Sequence, residues 1–91
     1  MVTYDIRNDA RRRRVHKTMK GFGYALQYSV FLCDLDNVEK YDMLRAVGDV
    51  VHQQIDSVAI IDLGDAHGRG GTCFEFLGPH APLPRGGPRI V

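Results

Sequence analysis

Ninety-one residues make one small domain, and a chain of this length buries a modest core that a second copy would help to stabilise. Hydrophobic residues at 44% and charged residues at 25% describe a folded globular protein and exclude wholesale disorder. No apolar run approaches a membrane span and no charged-then-apolar leader opens the chain, so the expected location is the cytoplasm, with no membrane partner. A formal net charge of +1 says nothing by itself about polyanions, but its distribution does. Arg7, Arg11, Arg12, Arg13, Arg14, Lys17 and Lys20 crowd one stretch in which Asp9 is the only opposing charge.

Val2-Thr3-Tyr4-Asp5-Ile6 is rich in strand formers and predicts a short strand ending near the aspartate. Asn8 or Asp9 caps a helix through Lys20, with Gly21 and Gly23 placed to stop it. Val15, Thr18, Met19 and Phe22 fall three and four apart and share its inner face. Tyr24 to Leu35 is dense in aromatic and β-branched residues, which predicts two short strands broken near Gln27–Ser29, although no Asn-Gly or Asp-Gly marks the turn. Asp36 followed by Glu39 is a capping box that opens a long helix to about Ile55. Met43, Leu44, Val47, Val50, Val51 and Ile55 form its expected buried stripe, and Gly48 within it suggests close packing or a slight bend. Ser57 to Leu63 predicts a short buried strand, Gly64 to Gly71 a loop, and Thr72 to Leu77 a further strand. Pro79, Pro82, Pro84 and Pro88 then impose an extended tail that ends in Ile90-Val91.

The order strand-helix-strand-strand-helix-strand, with an added C-terminal strand, is the ferredoxin-like α+β arrangement: one antiparallel sheet with both helices on one face. The domain is expected over 1–77, followed by an extended tail over 78–91. Thr3, Tyr24, Tyr28 and Val30 leave the other face of the sheet too apolar for water. A second protomer is the expected cover, and the tail of one copy can add to the sheet edge of the other, giving a homodimer.

The chemistry concentrates in the first helix and the strand before it. Four consecutive arginines at about 100° per residue cannot share one face. Arg11 falls near the apolar stripe, Arg12 and Arg14 flank it, and Arg13 points outward with His16, Lys17 and Lys20. Cations in the first turns oppose the helix dipole by about 0.3–1 kcal/mol each when exposed, so stability alone does not favour them. A phosphate partner explains them, because guanidinium grips phosphate through a fork of donors; a solvated run with carboxylate neighbours is the competing account. Arg11, Arg12, Arg13, Arg14 and Lys17 are therefore the candidate nucleic-acid contacts. Asp5, at the end of the first strand, can bind a hard cation such as Mg²⁺, which lowers the pKa of bound water. One carboxylate is a thin site that a homodimer could double across its axis. Asp5 can equally cap the following turn or pair with an arginine of the first helix.

Other motifs carry less. Lys20-Gly21-Phe22-Gly23-Tyr24 is similar to an RNA-recognition aromatic motif, but Ala25 and Gln27 break the pattern and it follows the first helix. The glycine-rich loop at 64–71 lacks the Gly-Lys-Ser/Thr ending of a phosphate-binding loop. Cys33 and Cys73 have no paired spacing and read as small buried hydrophobes in a reducing compartment, against a disulfide or a metal site. His16, His52, His67 and His80 show no metal-ligand spacing.

Tyr4-Asp5-Ile6, the arginine cluster, Val15, Lys17 and Met19, Gly23-Tyr24, and then Gln27-Tyr28-Ser29-Val30-Phe31 occur in an order that resembles the small CRISPR-associated adaptation proteins, the dimeric partners of the spacer integrase. Asp56-Ser57-Val58, and Gly78 through Leu83-Pro84 to the hydrophobic end, fit more loosely. The resemblance implies a ferredoxin-like homodimer whose C-terminal strand crosses to its partner. It also implies Mg²⁺ binding and phosphodiester hydrolysis by Asp5 near the dimer axis, with Arg12, Arg14 and Phe31 implicated and Tyr28 alongside as dimer or site support. The family's role in spacer acquisition, bridging two integrase dimers and holding protospacer DNA, looks non-catalytic, while members are described as RNA or DNA endonucleases. The chain departs from the family pattern at Ala25, Leu32 and Ala59, where Arg, Glu and Arg are frequent.

The leading expectation is thus a DNA-binding adaptation protein that also carries a metal-dependent endonuclease centre. A stand-alone ribonuclease toxin of the same fold is one alternative, separated from it by co-purification with an integrase. A small-ligand regulatory module of ferredoxin-like type is the other, and it would show no salt-dependent affinity for nucleic acid.

Overall fold

The computed structural model describes residues 1–64 and 74–79. Its elements run β1 (Val2–Asp5), α1 (Asp9–Met19), β2 (Tyr24–Gln27), β3 (Val30–Leu32), α2 (Asn37–Gly48) and β4 (Ser57–Ile60). The four strands form one antiparallel sheet in the order β2-β3-β1-β4. This is the ferredoxin-like order expected for two strand-helix-strand halves interleaved in one sheet.

Alternation along β1 fixes the two faces. Val2 and Tyr4 are buried, Thr3 is half-buried and Asp5 is exposed. Val2 and Tyr4 join Phe31 from β3, Val15 and Met19 from α1, and Met43 and Val47 from α2 in a single core, with Ile6 closing one end. Both helices therefore cover the same face of the sheet. The side chain of Asn8 accepts the Arg11 N–H to cap α1, and Asp36 with Glu39 forms the expected capping box on α2.

Gly23 follows α1 for a reason beyond stopping it. A Cβ there would fall on the Leu32 carbonyl oxygen and the Cys33 Sγ, so the chain can enter β2 this close to β3 only without a side chain. Cys33 is half-buried and packs against the core, and burial raises its thiol pKa; Cys73 lies outside the described residues.

Three expectations need correction. The second helix stops at Gly48 rather than Ile55, where the last turn tightens as the Val50 N–H bonds the Val47 carbonyl three residues back instead of the carbonyl four back. Val50 and Val51 still pack against the core from this turn, whereas Leu44 and Ile55 are exposed. The apolar spacing was a true burial signal without a helix beneath it. Gly48 meets nothing where a Cβ would stand, so it marks the helix end and not a close contact. β4 ends at Ile60, not Leu63, and is mostly exposed; among the described residues it is an edge strand whose one neighbour is β1. Residues 74–79 form no strand, although the rings of Phe74 and Phe76 stack 6.2 Å apart. Thr72, the loop at 65–71 and the tail from 80 onward lie outside the described residues, and with them the rest of the added strand.

Candidate nucleic-acid interface

α1 divides its arginines between two tasks. The Arg11 guanidinium donates from Nε to Asp56 Oδ2 at 2.7 Å and from Nη2 to Asp56 Oδ1 at 3.1 Å, a two-point ion pair spanning 45 residues. The Asp56 side chain has no exposed surface, and it also accepts the His52 N–H at 2.8 Å. Hydrogen bonding from Arg11, and then from His52, holds the Asp56 carboxyl below its ordinary value. Arg11 thus locks α1 to the turn that leads into β4. Arg12 donates to Asp9 Oδ1 at 2.6 Å and to the Ile6 carbonyl at 3.2 Å, which ties the helix to the end of β1. Its guanidinium ion is stabilised first by Asp9 and next by the Tyr28 phenol.

Arg13, Arg14, Lys17 and Lys20 are exposed. None of their side chains makes a hydrogen bond or an ion pair among the described residues. On α1 and its C-cap, these four are the cations left for an anionic partner among the described residues. Asp9 offsets part of the charge that the first turn would otherwise place on the positive end of the helix dipole, and the Asn8 side chain satisfies the Arg11 N–H there.

At the same end of the sheet an aromatic cluster holds the β2–β3 turn. The Tyr4 hydroxyl donates to the Tyr28 carbonyl at 3.1 Å, and His16 Nδ1 lies 3.1 Å from that carbonyl and 3.2 Å from the Tyr4 hydroxyl. The Tyr4 hydroxyl has a single proton, so all three groups are satisfied when His16 Nδ1 carries its own and donates to Tyr28. The His16 ring stacks on Tyr28 at 4.9 Å and 20°, and meets Phe31 edge-on at 5.2 Å. Burial, and then the neighbouring Tyr28, raises the Tyr4 pKa, with Arg12 working against both.

Asp5 is exposed where β1 leaves the sheet, paired in register with Ser57 of β4. Arg12 reaches the backbone one residue beyond it, at Ile6. Among the described residues no three His, Cys, Asp or Glu side chains converge as a metal cage. The described residues of a single copy therefore offer a hard cation one carboxylate here, too few oxygen ligands to hold it.

The candidate residues do not converge on one spot. Asp5, Arg12 and Tyr28 lie around one end of the sheet, Arg13, Arg14 and Lys17 lie on the open surface of α1, and Arg11 is occupied by Asp56. Phe31 is fully buried in the core, so its support of the site is through packing. His16 does not point outward with Arg13 and Lys17 but turns in to stack on Tyr28, because ring packing and the Tyr28 carbonyl outweigh its hydration. Tyr4, His16 and Asp56 were not among the candidates. A polar-tipped aromatic in a buried strand position was the available signal for Tyr4; Asp56 gave none, since its partner is 45 residues away.

The profile of the CRISPR associated protein Cas2 family matches residues 1–69. "CRISPR-associated endoribonuclease Cas2" of Geobacter sulfurreducens is 50% identical over 66 residues, which is 72% of this chain and 70% of that protein. "CRISPR-associated endoribonuclease Cas2 2" of Thermodesulfovibrio yellowstonii is 41% identical over 63 residues, 69% of each chain. Among solved structures, Streptococcus pyogenes Cas2 aligns with a TM-score of 0.75 at 28% identity, covering 85% of this chain and 95% of that one. A hypothetical protein of Thermus thermophilus aligns with a TM-score of 0.75 at 29% identity, covering 88% and 89%. With sequence and fold in agreement across the sheet and both helices, the chain belongs to the Cas2 family of CRISPR-associated proteins.

Proposed function

We propose that this protein acts in CRISPR adaptation as a homodimer that bridges integrase dimers and binds protospacer DNA, and that it carries an endonuclease centre built on Asp5. The observation that carries this reading is the set of exposed cations on α1, the helix that follows an exposed carboxylate at the end of β1. Arg13, Arg14, Lys17 and Lys20 supply a sequence-independent grip on phosphate. The names of the relatives, endoribonucleases, support a hydrolytic role on RNA, and protospacer DNA enters through the adaptation role.

Cleavage needs more oxygen ligands than the described residues of one chain bring to Asp5, so in this reading two copies present Asp5 to each other. Mg²⁺ held between them would supply an activated water and neutralise charge on the phosphate. Arg12, fixed by Asp9 and the Ile6 carbonyl, is placed to steady the backbone of the bound strand.

Asp5→Asn tests the reading. Cleavage of single-stranded RNA in Mg²⁺ is expected to fall to the level of buffer, while affinity for duplex DNA and the sedimentation of the dimer stay as in the parent. Equal cleavage by parent and variant would end the catalytic claim. A protein that sediments as a monomer and ignores DNA at low salt would end the scaffold claim as well. Co-purification with an integrase separates adaptation from a stand-alone nuclease.

A further inference from the structure

The β2–β3 hairpin turns on two residues, Tyr28 and Ser29, between the paired positions Gln27 and Val30. Neither is a residue that two-residue hairpin turns favour. The turn is held from outside instead: Tyr4 and His16 both bond the Tyr28 carbonyl, and the Tyr4 N–H donates to the Ser29 carbonyl at 3.2 Å. That last bond carries the β1–β3 pairing one residue past Thr3↔Val30, to Tyr4 and Ser29, and Asp5 and Tyr28 are the next residues along each segment.

The Tyr28 side chain does not lie on the sheet face opposite the helices, where it was expected, but against His16 of α1; it is large, aromatic and 56% exposed. Turn chemistry does not ask for it, and exposing it gains nothing for the core. It is nonetheless rigid, because one face lies flat on His16, which is itself wedged against Phe31. Arg12 stands by its phenol. A fixed aromatic ring with an open face, a cation at its edge and a carboxylate on the neighbouring strand is how proteins hold an unpaired base next to its own phosphate.

We propose that Tyr28, braced by His16, is the platform on which one unpaired nucleobase of a single-stranded nucleic acid stacks, setting the adjoining phosphate toward Asp5. The base contact deepens the nuclease reading above, on which the orientation of the phosphate rests. It makes the chain discriminate between strand states: a duplex keeps its bases stacked on one another and meets only the α1 cations, whereas a single strand meets both. Tyr28 is a specificity-determining residue in this scheme, and His16 is a positioning residue acting through it.

The chain contains no tryptophan, so Tyr28→Trp places a single indole reporter at the site. Its emission is expected to quench on adding a short single-stranded RNA, and to stay unchanged with an abasic strand of the same length or a blunt duplex. Tyr28→Ala is expected to lose roughly tenfold or more in affinity for the single strand, with duplex affinity unchanged, while Tyr28→Phe binds like the parent because the ring face does the work. His16→Ala should shift the single-strand affinity in the same direction by less. Equal single-strand affinity for Tyr28→Ala and parent overturns the proposal. So does a Tyr28→Ala protein that loses single-strand and duplex binding together and sediments as a smaller species, since Tyr28 would then be a contact between copies. Should Tyr28→Ala lose the single strand while neither the parent nor Asp5→Asn cleaves, the platform stands and the hydrolase reading falls.

Discussion

α1 and α2 do the same structural job with opposite surfaces. Each lays two fully buried side chains on the sheet, Val15 and Met19 from one and Met43 and Val47 from the other, and each begins at a side-chain cap. Around α1 the charges are almost all positive. Around α2, Asp34, Asp36, Glu39, Asp42 and Asp49 outnumber Lys40 and Arg45. Packing cannot explain that contrast, because the buried halves are interchangeable in kind. It teaches that the core fixes where the helices lie, while only α1 carries a surface suited to a polyanion.

Three measurements sharpen or break this comparison. Met19→Ala and Met43→Ala each empty a fully buried position, and each is expected to cost about 2–5 kcal/mol in urea unfolding. Surviving folded protein should keep the parent's salt dependence for DNA in both cases; a slope changed by one and not the other would tie binding to the core. Replacing Arg13 and Arg14 together with Ala is expected to leave stability alone and lower the log–log salt slope of DNA binding by about two. The matched change on α2, Lys40 and Arg45 to Ala, should leave the slope untouched. An equal effect from the two pairs would remove the distinction between the helices.

The smallest effect concerns the ion-pair anchor of α1, for which α2 has no counterpart among the described residues. The folded-state pKa of Asp56 is depressed, so its contribution to stability is complete above the ordinary value of 3.8 and is lost as pH falls through the lower folded value. Asp56→Asn lacks this term. Its urea midpoint should lie below the parent's near neutrality, with the gap closing from about pH 4 downward. A gap that stays constant into acid would mean that Asp56 acts by shape rather than charge.

Local chemistry made much of this fold legible. The caps at Asn8 and Asp36, the alternation of Val2 and Tyr4, and the break between Gln27 and Val30 are each set by residues within a few positions of one another. The extent of α2 was misread because Val50 and Val51 do face the core, and periodicity records burial, not backbone geometry. Of the site, the cations of α1 and the exposure of Asp5 were foreseeable. That Arg11 would be taken by Asp56 and His16 by Tyr28 depends on pairings across 45 and 12 residues, which only the folded chain brings about.

Because basic α1 lies beside α2, whose flanks are acidic, charge is separated across the described helical face although the whole chain carries only +1. A strand approaching from solution feels little overall pull, but it exerts a torque that swings α1 forward and α2 away. At moderate salt that torque acts only over about the last 10 Å of approach, so collisions are sorted by tumbling at the end of the encounter rather than by long-range capture.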